Sequence, residues 1–410
     1  MYEPEAVWTF DSAGRVSFGP GAATELGAEL DSLGASSVLF VSDSGVIEAG
    51  IVSSLTDALP DSIDSTVADP IEPEPDVDVF RRTLEAARST MPDAVVGVGG
   101  GSSMDVAKTV GALVEADADP LEFVAPPIGG GAPVPQTGRP TVCVPTTAGT
   151  GAETSPVVVV SLPERDTKAG ISSPELCPEL ALLDPELTVT LPSAQTASSG
   201  MDALAQAIEA YTVRRYDQKP RADGPSDRPD YGGSTPLTDS LALQAIGLVA
   251  GNIRQAVGNG RDLDARGEML LGSHLAGLAY TNAGVTVNHA MAMAIGGELD
   301  SPHGVTVATL LPASLRYNAT VSPERHARVA EALGVDLTGL GRMERAEAAA
   351  DAVDRLLDDL GLPDGLAALG ATEDDVPRLA EKTLDLERLT ACNPREVTRD
   401  DVESMIEQSL

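Results

Sequence analysis

Apolar residues in the first half of the chain gather in short blocks set between glycine-rich or acidic turns. Residues 6–18 alternate apolar and polar positions and then meet Gly19-Pro20-Gly21, a pattern that predicts a hairpin-like start. Residues 22–32 have helical spacing. The run Ser37-Val38-Leu39-Phe40-Val41-Ser42 is unbroken and stops at Asp43-Ser44-Gly45, which suits a strand buried on both faces of a parallel sheet. The alternation then recurs. A helix over 46–59 leads to a weaker strand at Ser65-Thr66-Val67, an acidic, proline-rich turn, a helix over 77–90 and a strand over 93–98. Another strand-like run, 141–145, follows the loop 129–138. Alternating strands and helices predict a doubly wound parallel α/β sheet with ligands at the strand carboxyl ends.

From about Ser193 the pattern becomes helical. It predicts helices over 199–213, 238–257, 262–282, 284–297, 304–317, 323–333, 345–360, 374–382 and 398–409. The segment 214–238, rich in Pro, Gly and charge, reads as a long surface loop, and such loops are uncommon without a function. The expected organisation is an α/β domain over 1–193 and an all-helical domain over 194–410.

Charge changes this picture. Lys+Arg is 27 against Asp+Glu 63, a net charge of −36, with only four lysines: Lys108, Lys168, Lys219 and Lys382. A surface this acidic repels nucleic acid and anionic membranes, and its even spread predicts adaptation to a high-salt cytoplasm. Cys143, Cys177 and Cys392 are isolated, which fits a reducing compartment and argues against a thiolate metal site. With no signal-peptide pattern and no apolar run near ~18 residues, the expectation is a soluble cytoplasmic protein that does not meet the membrane.

Candidate chemistry falls in three places. Gly99-Gly100-Gly101-Ser102-Ser103-Met104-Asp105-Val106-Ala107-Lys108 follows a strand and opens a helix. Its glycines leave room for backbone N–H groups to face a phosphate, although a tight strand-to-helix turn needs the same residues. Lys108 tilts the reading toward phosphate, because a chain with four lysines has placed one here. Pro145-Thr146-Thr147-Ala148-Gly149-Thr150-Gly151 is a second such loop, suited to a phosphate or ribose edge or simply to a polar turn. Asp43 ends a strand where a carboxylate would bond an adenosine ribose and repel a 2′-phosphate, favouring NAD over NADP.

The third place is the helix over 199–211. It puts Asp202 and Gln206 four residues apart on one face among Ala203, Leu204, Ala205, Ala207 and Ile208. A carboxylate buried there needs a cation, a metal or several donors. His289 and His303 are the matching candidates, since imidazole and carboxylate together suit Zn or Fe(II). His274 and His326 fall on amphipathic helices with charged faces and read as structural.

Assembled, these residues resemble the iron-containing, group III alcohol dehydrogenase family over almost the whole length. The carriers are the GGGSxxDxAK pattern of 99–108, then 145–155, Leu183-Asp184-Pro185-Glu186-Leu187, 200–211 and 289–304. The resemblance implies a dinucleotide-binding domain followed by an all-α domain, hydride transfer between an alcohol and NAD(P) in the cleft between them, and a dimer. It places NAD along Asp43, Gly100, Gly101, Ser102, Asp105, Thr146, Thr147, Gly149 and Thr150, with Lys168 near the nicotinamide ribose. It carries the family's Asp-His-His-His metal set onto Asp202, Gln206, His289 and His303, with Asp202, His289 and His303 as the catalytic group. Gln206 is a departure, because a neutral amide is a weaker ligand beside imidazole for Fe(II) or Zn. Met293 stands where the family often has one more histidine.

The stretches 226–239, Asn282-Ala283-Gly284-Val285, 364–368 and 382–394 look like the hydroxyacid–oxoacid transhydrogenase branch. Its enzymes oxidise 4-hydroxybutyrate and reduce 2-oxoglutarate on a nicotinamide cofactor that stays bound. Arg214, Arg215, Arg221 and Arg228 offer cations for such acidic substrates. The rivals are a metal-independent reductase with His289 as general acid, a maleylacetate reductase-like enzyme, a dehydroquinate synthase-like relative, and a non-catalytic NAD-binding relative.

Overall fold

The computed structural model describes residues 7–126, 128–162, 167–220, 222–224 and 227–410. The chain forms two compact units. One comprises Asp11–Leu191 with Gly260–Leu271, and the other comprises residues 7–10, Pro192–Asn259 and Gly272–Leu410.

The first unit is built on strands β1 (Arg15–Phe18), β2 (Ser37–Ser42), β3 (Asp64–Val67), β4 (Ala94–Gly99), β5 (Thr141–Pro145), β6 (Val157–Leu162), β7 (Thr167–Ser172) and β8 (Leu180–Leu183). Its helices are α1 (Leu26–Ser32), α2 (Ser44–Glu48), α3 (Ile51–Asp57), α4 (Val77–Thr90) and α5 (Gly101–Leu113). Six strands pair in parallel in the order β1-β8-β5-β4-β2-β3. Along β2, Leu39 and Val41 face a core with Phe80 and Leu84 of α4 and Val106 and Val110 of α5. Val38 and Phe40 face the opposite core, with Leu26 and Leu30 of α1 and Val52 and Leu55 of α3. Both faces are covered, which is why the strand reads as a continuous apolar run.

Strand β3 lies to one side of β2 and β4 to the other, so the order reverses between β2 and β4. A doubly wound sheet takes ligands at the carboxyl ends of such a pair. Asp43 follows β2 and Gly99 ends β4.

Two expectations are corrected here, and one pair of strands is added. The start is no hairpin: β1 pairs in parallel with β8, from Arg15↔Leu180 to Phe18↔Leu183. It is an edge strand, and its Val16 and Phe18 are exposed. Residues 46–59 form two helices, because Gly50 is left-handed (φ 79°) and caps α3. The valines of 157–160 belong to an antiparallel pair, β6 and β7, that the sequence reading did not anticipate.

The second unit is helical: α6 (Ser193–Thr212), α7 (Pro236–Gly258), the end of α8 (Leu263–Ala283), α9 (Val287–Leu299), α10 (His303–Ala319), α11 (Pro323–Ala332), α12 (Arg342–Leu360), α13 (Val376–Leu384), α14 (Glu387–Thr390) and α15 (Arg399–Gln408). The described ends of the loop before α7 are fastened down. Gly232 and Gly233 donate to the Asn282 and Ala283 carbonyls, and Lys219 Nζ donates to the Tyr231 carbonyl at 2.6 Å.

Candidate metal centre and nucleotide-binding strand ends

Helix α6 carries the centre of the site. Asp202, Gln206 and Glu209 lie on it at spacings of four and three residues, and all three are buried. The Gln206 amide Nε2 donates to Asp202 Oδ2 at 2.9 Å. Asp202 Oδ1 is turned toward two imidazoles, 3.5 Å from His289 Nε2 and 3.7 Å from His303 Nε2.

Each histidine is placed by a helix start. Thr286 caps α9, and His289 stands in its first turn. The Glu209 carboxylate fills that helix end: it accepts from the Thr286 N–H and hydroxyl, both at 2.7 Å, and from Asn288 Nδ2 at 3.1 Å. It also takes His289 Nδ1 at 2.5 Å, which leaves Nε2 to face Asp202. A carboxylate at a helix N-terminus meets both free N–H groups and a favourable dipole, so its burial is compensated. His303 begins α10. That helix start is pressed against α6, for a Cβ on Gly304 would lie 2.3 Å from the Ser198 carbonyl oxygen.

Glu209 is the residue that the sequence reading missed. A signal was available: an acid seven residues after Asp202, on the same face, within an otherwise apolar run.

The donor set fits a divalent cation. One ligand atom each from Asp202, His289 and His303 lies within 4.8 Å of the others, the one such cluster of His, Cys, Asp or Glu among the described residues. Asp202 Oδ1 and Gln206 Oε1 are buried without a hydrogen-bond donor. Burial opposes a charge on the His289 imidazole, but Glu209 and then Asp202 outweigh it, and its pKa is pushed up to about 10. Two buried carboxylates set the site for positive charge.

The other two histidines, His274 and His326, take no part in this cluster and are buried. His326 Nδ1 lies 3.0 Å from the Ser322 carbonyl, so that nitrogen carries the proton.

In the sheet unit, the two glycine-rich loops meet. The Thr146 N–H donates to the Gly99 carbonyl at 3.0 Å, and a Cβ on Gly101 would lie 3.0 Å from Thr150 Oγ1. A Cβ on Gly100 would stand 3.7 Å from Thr147 Oγ1. Asp43 caps α2 through Val46 N, and its Oδ2 is 3.4 Å from Ser103 Oγ. Lys168 pairs with Glu74 at 2.6 Å, and the Glu74 N–H donates to Ser102 Oγ, which brings that lysine to the same loop.

Lys108 does not face a phosphate. Its buried ammonium donates to the carbonyls of Ala152, Ser155 and Val157 at 2.8–3.0 Å and pairs with Asp105 Oδ1 at 3.2 Å. Asp105 Oδ2 accepts from Val159 N. Lys108 and Asp105 therefore hold the second loop and β6 in place, and Asp105 is spent on that contact. Of the arginines in the loop, Arg215 pairs with Asp217, Arg214 lies 3.4 Å from the Asn393 carbonyl, and Arg221 lies outside the described residues.

A nucleotide-type sheet in one unit and an Asp-His-His face in the other define an alcohol dehydrogenase-type oxidoreductase. Comparison with known proteins agrees. The model of iron-containing alcohol dehydrogenase matches residues 13–185, and that of the Fe-containing alcohol dehydrogenase family, C-terminal, matches 232–410. The mitochondrial hydroxyacid-oxoacid transhydrogenase of Bos taurus is 35% identical, covering 96% of this chain and 88% of its own. The structure of 1,3-propanediol oxidoreductase superposes with a TM-score of 0.88 at 35% identity, over 98% of this chain and 100% of that one. Sulfoacetaldehyde reductase from Bifidobacterium kashiwanohense, in complex with NAD+, gives 0.86 at 30% identity over 98% of each chain. The chain belongs to the iron-containing alcohol dehydrogenase family, on its hydroxyacid–oxoacid transhydrogenase branch. That family implies NAD(H) and a divalent metal. Among the described residues, no helix is long and apolar enough to cross a membrane.

Proposed function

We infer that this enzyme passes hydride between a 4-hydroxybutyrate-like hydroxyacid and a 2-oxo acid through NAD that stays bound. The observation that carries the reading is Asp202 Oδ1, buried without a hydrogen-bond donor and facing two imidazole nitrogens. Asp202, His289 and His303 would hold Fe(II) or Zn, with Gln206 beside them. When bound, such an ion supplies Lewis acidity to the substrate oxygen.

The remaining work belongs to the chain. Glu209 fixes the ring of His289 through Nδ1 and so aims Nε2. The start of α5, with Gly100, Gly101 and Ser102, offers N–H groups to a pyrophosphate, and the missing Cβ atoms let it approach. Thr146, Thr147, Gly149 and Thr150 line the adjacent strand end, and Lys168 reaches the same loop through Glu74. Asp43 would accept from ribose hydroxyls and repel a 2′-phosphate, so NAD is preferred to NADP. Residues 1–193 thus serve the nucleotide and 194–410 the metal and substrate, in a homodimer working in a salt-rich cytoplasm.

Retention of both histidines and Asp202 supports this over the metal-independent and non-catalytic readings. Oxidation of 4-hydroxybutyrate at high salt, assayed with and without 2-oxoglutarate, tests it. The expected result is turnover that depends on the oxo acid without added NAD. Activity on simple primary alcohols alone would defeat the branch-level substrate and leave the family intact.

A further inference from the structure

The contact between Gln206 and Asp202 fixes more than one carboxylate. Because Nε2 donates to Asp202 Oδ2 at 2.9 Å, the amide is held in one orientation; reversed, it would set Oε1 against a carboxylate oxygen. Gln206 therefore has only its neutral carbonyl oxygen to offer, buried without a donor, and a carboxylate displaces such a weak ligand where the family's imidazole would stay. The strong donors reduce to Asp202 Oδ1, His289 Nε2 and His303 Nε2. Two imidazoles and one carboxylate would hold an ion and leave it further positions to fill.

A second observation concerns carboxylate recognition. Several cations of the helical unit that could receive a substrate carboxylate are already engaged. Arg215 is on Asp217, Arg325 on Asp239 and the Tyr211 carbonyl, Lys219 on the Tyr231 carbonyl, and Lys382 on Glu298.

We propose that Gln206 frees a metal position for the carboxylate of a 2-hydroxy or 2-oxo acid, so that this substrate is held through two adjacent oxygens. This rests on the metal site inferred above. Two oxygens on neighbouring carbons close a five-membered ring on the ion, and the second contact forms at high effective concentration. A 4-hydroxy acid would have to close a seven-membered ring and is held through its alcohol oxygen alone. The two half-reactions of a transhydrogenase would then be told apart by the metal.

Anaerobic loading with Fe(II) and titration with 2-oxoglutarate tests this without turnover, since a 2-oxo acid chelated to Fe(II) gives a visible charge-transfer absorption. The wild type should show a saturable band with 2-oxoglutarate and none with butyraldehyde. Gln206→His should bind Fe(II) at least as tightly, lose the band, and hold 2-oxoglutarate about tenfold more weakly or worse. Gln206→Leu keeps the position open and loses the donor to Asp202; it should bind Fe(II) less tightly but show the band once loaded. Fe(II) bound to the wild type without a band, the same band in Gln206→His, or no band in loaded Gln206→Leu would each overturn the chelate and leave the metal-site reading standing. A wild type that binds no Fe(II), Zn(II) or Co(II) would overturn both.

Discussion

Glu209 touches no expected metal position, yet it holds the backbone start of α9 and the ring of His289 at once. Gln at this position keeps the shape and removes the charge. Glu209→Gln should therefore weaken metal binding by about 10–100-fold, the usual cost of losing such a partner. Competition with a chromophoric chelator measures this; unchanged affinity would reduce Glu209 to packing. It escaped the sequence reading because an acid after Ile208 looks like the solvent edge of a helix, and only the packed α9 start shows otherwise. Asp202, His289 and His303, by contrast, were legible together, because each residue type is costly to bury without a shared purpose. His326 gives a pH prediction. Burial, with Arg325 adding to it, pulls its pKa down to about 4 against the pull of Ser322. The unfolded chain takes up the proton near pH 6.5 and the folded chain does not until about 4, so stability falls as pH drops through that window and levels below it. His326→Gln should flatten that part of a plot of Tm against pH, by up to about 3 kcal/mol at the acid end.

At the scale of elements, the parallel sheet was readable because buried strands are unbroken apolar runs bounded by turn residues. Its edge strand and the β6–β7 pair were not, since pairing at an edge depends on partners far away in sequence: β1 finds β8 across more than 160 residues. Lys108 shows the same limit. Its place in a glycine-rich motif suggested a phosphate, whereas three carbonyls of a distant loop consume its donors. Lys108→Met would leave Asp105 buried without its cation and the loop without its tie. A loss of about 3–5 kcal/mol is expected in urea unfolding. Asp105→Asn in the same chain should recover part of it, because the two residues share one contact.

For the whole molecule, charge decides how stability responds to solvent. Even if every Lys and Arg were paired, 36 of the 63 acidic groups would remain without a basic partner. Their mutual repulsion is long-ranged at low salt and is cut to a Debye length of about 3 Å near 1 M. Isolated surface ion pairs contribute little, so screening them costs less than it relieves. Tm should thus rise between 0.1 and 3 M KCl; a flat or falling curve would reject salt adaptation.

The scarcity of lysine has a practical consequence for chemistry done on the protein. Lys108 is sealed in the sheet unit, and Lys168, Lys219 and Lys382 are only partly exposed. An amine-directed acylating reagent would meet few targets, and each could be resolved as a separate peptide by mass spectrometry. Acylation of Lys168 that rises once the bound NAD is stripped away would then appear as a single-site footprint against two internal controls.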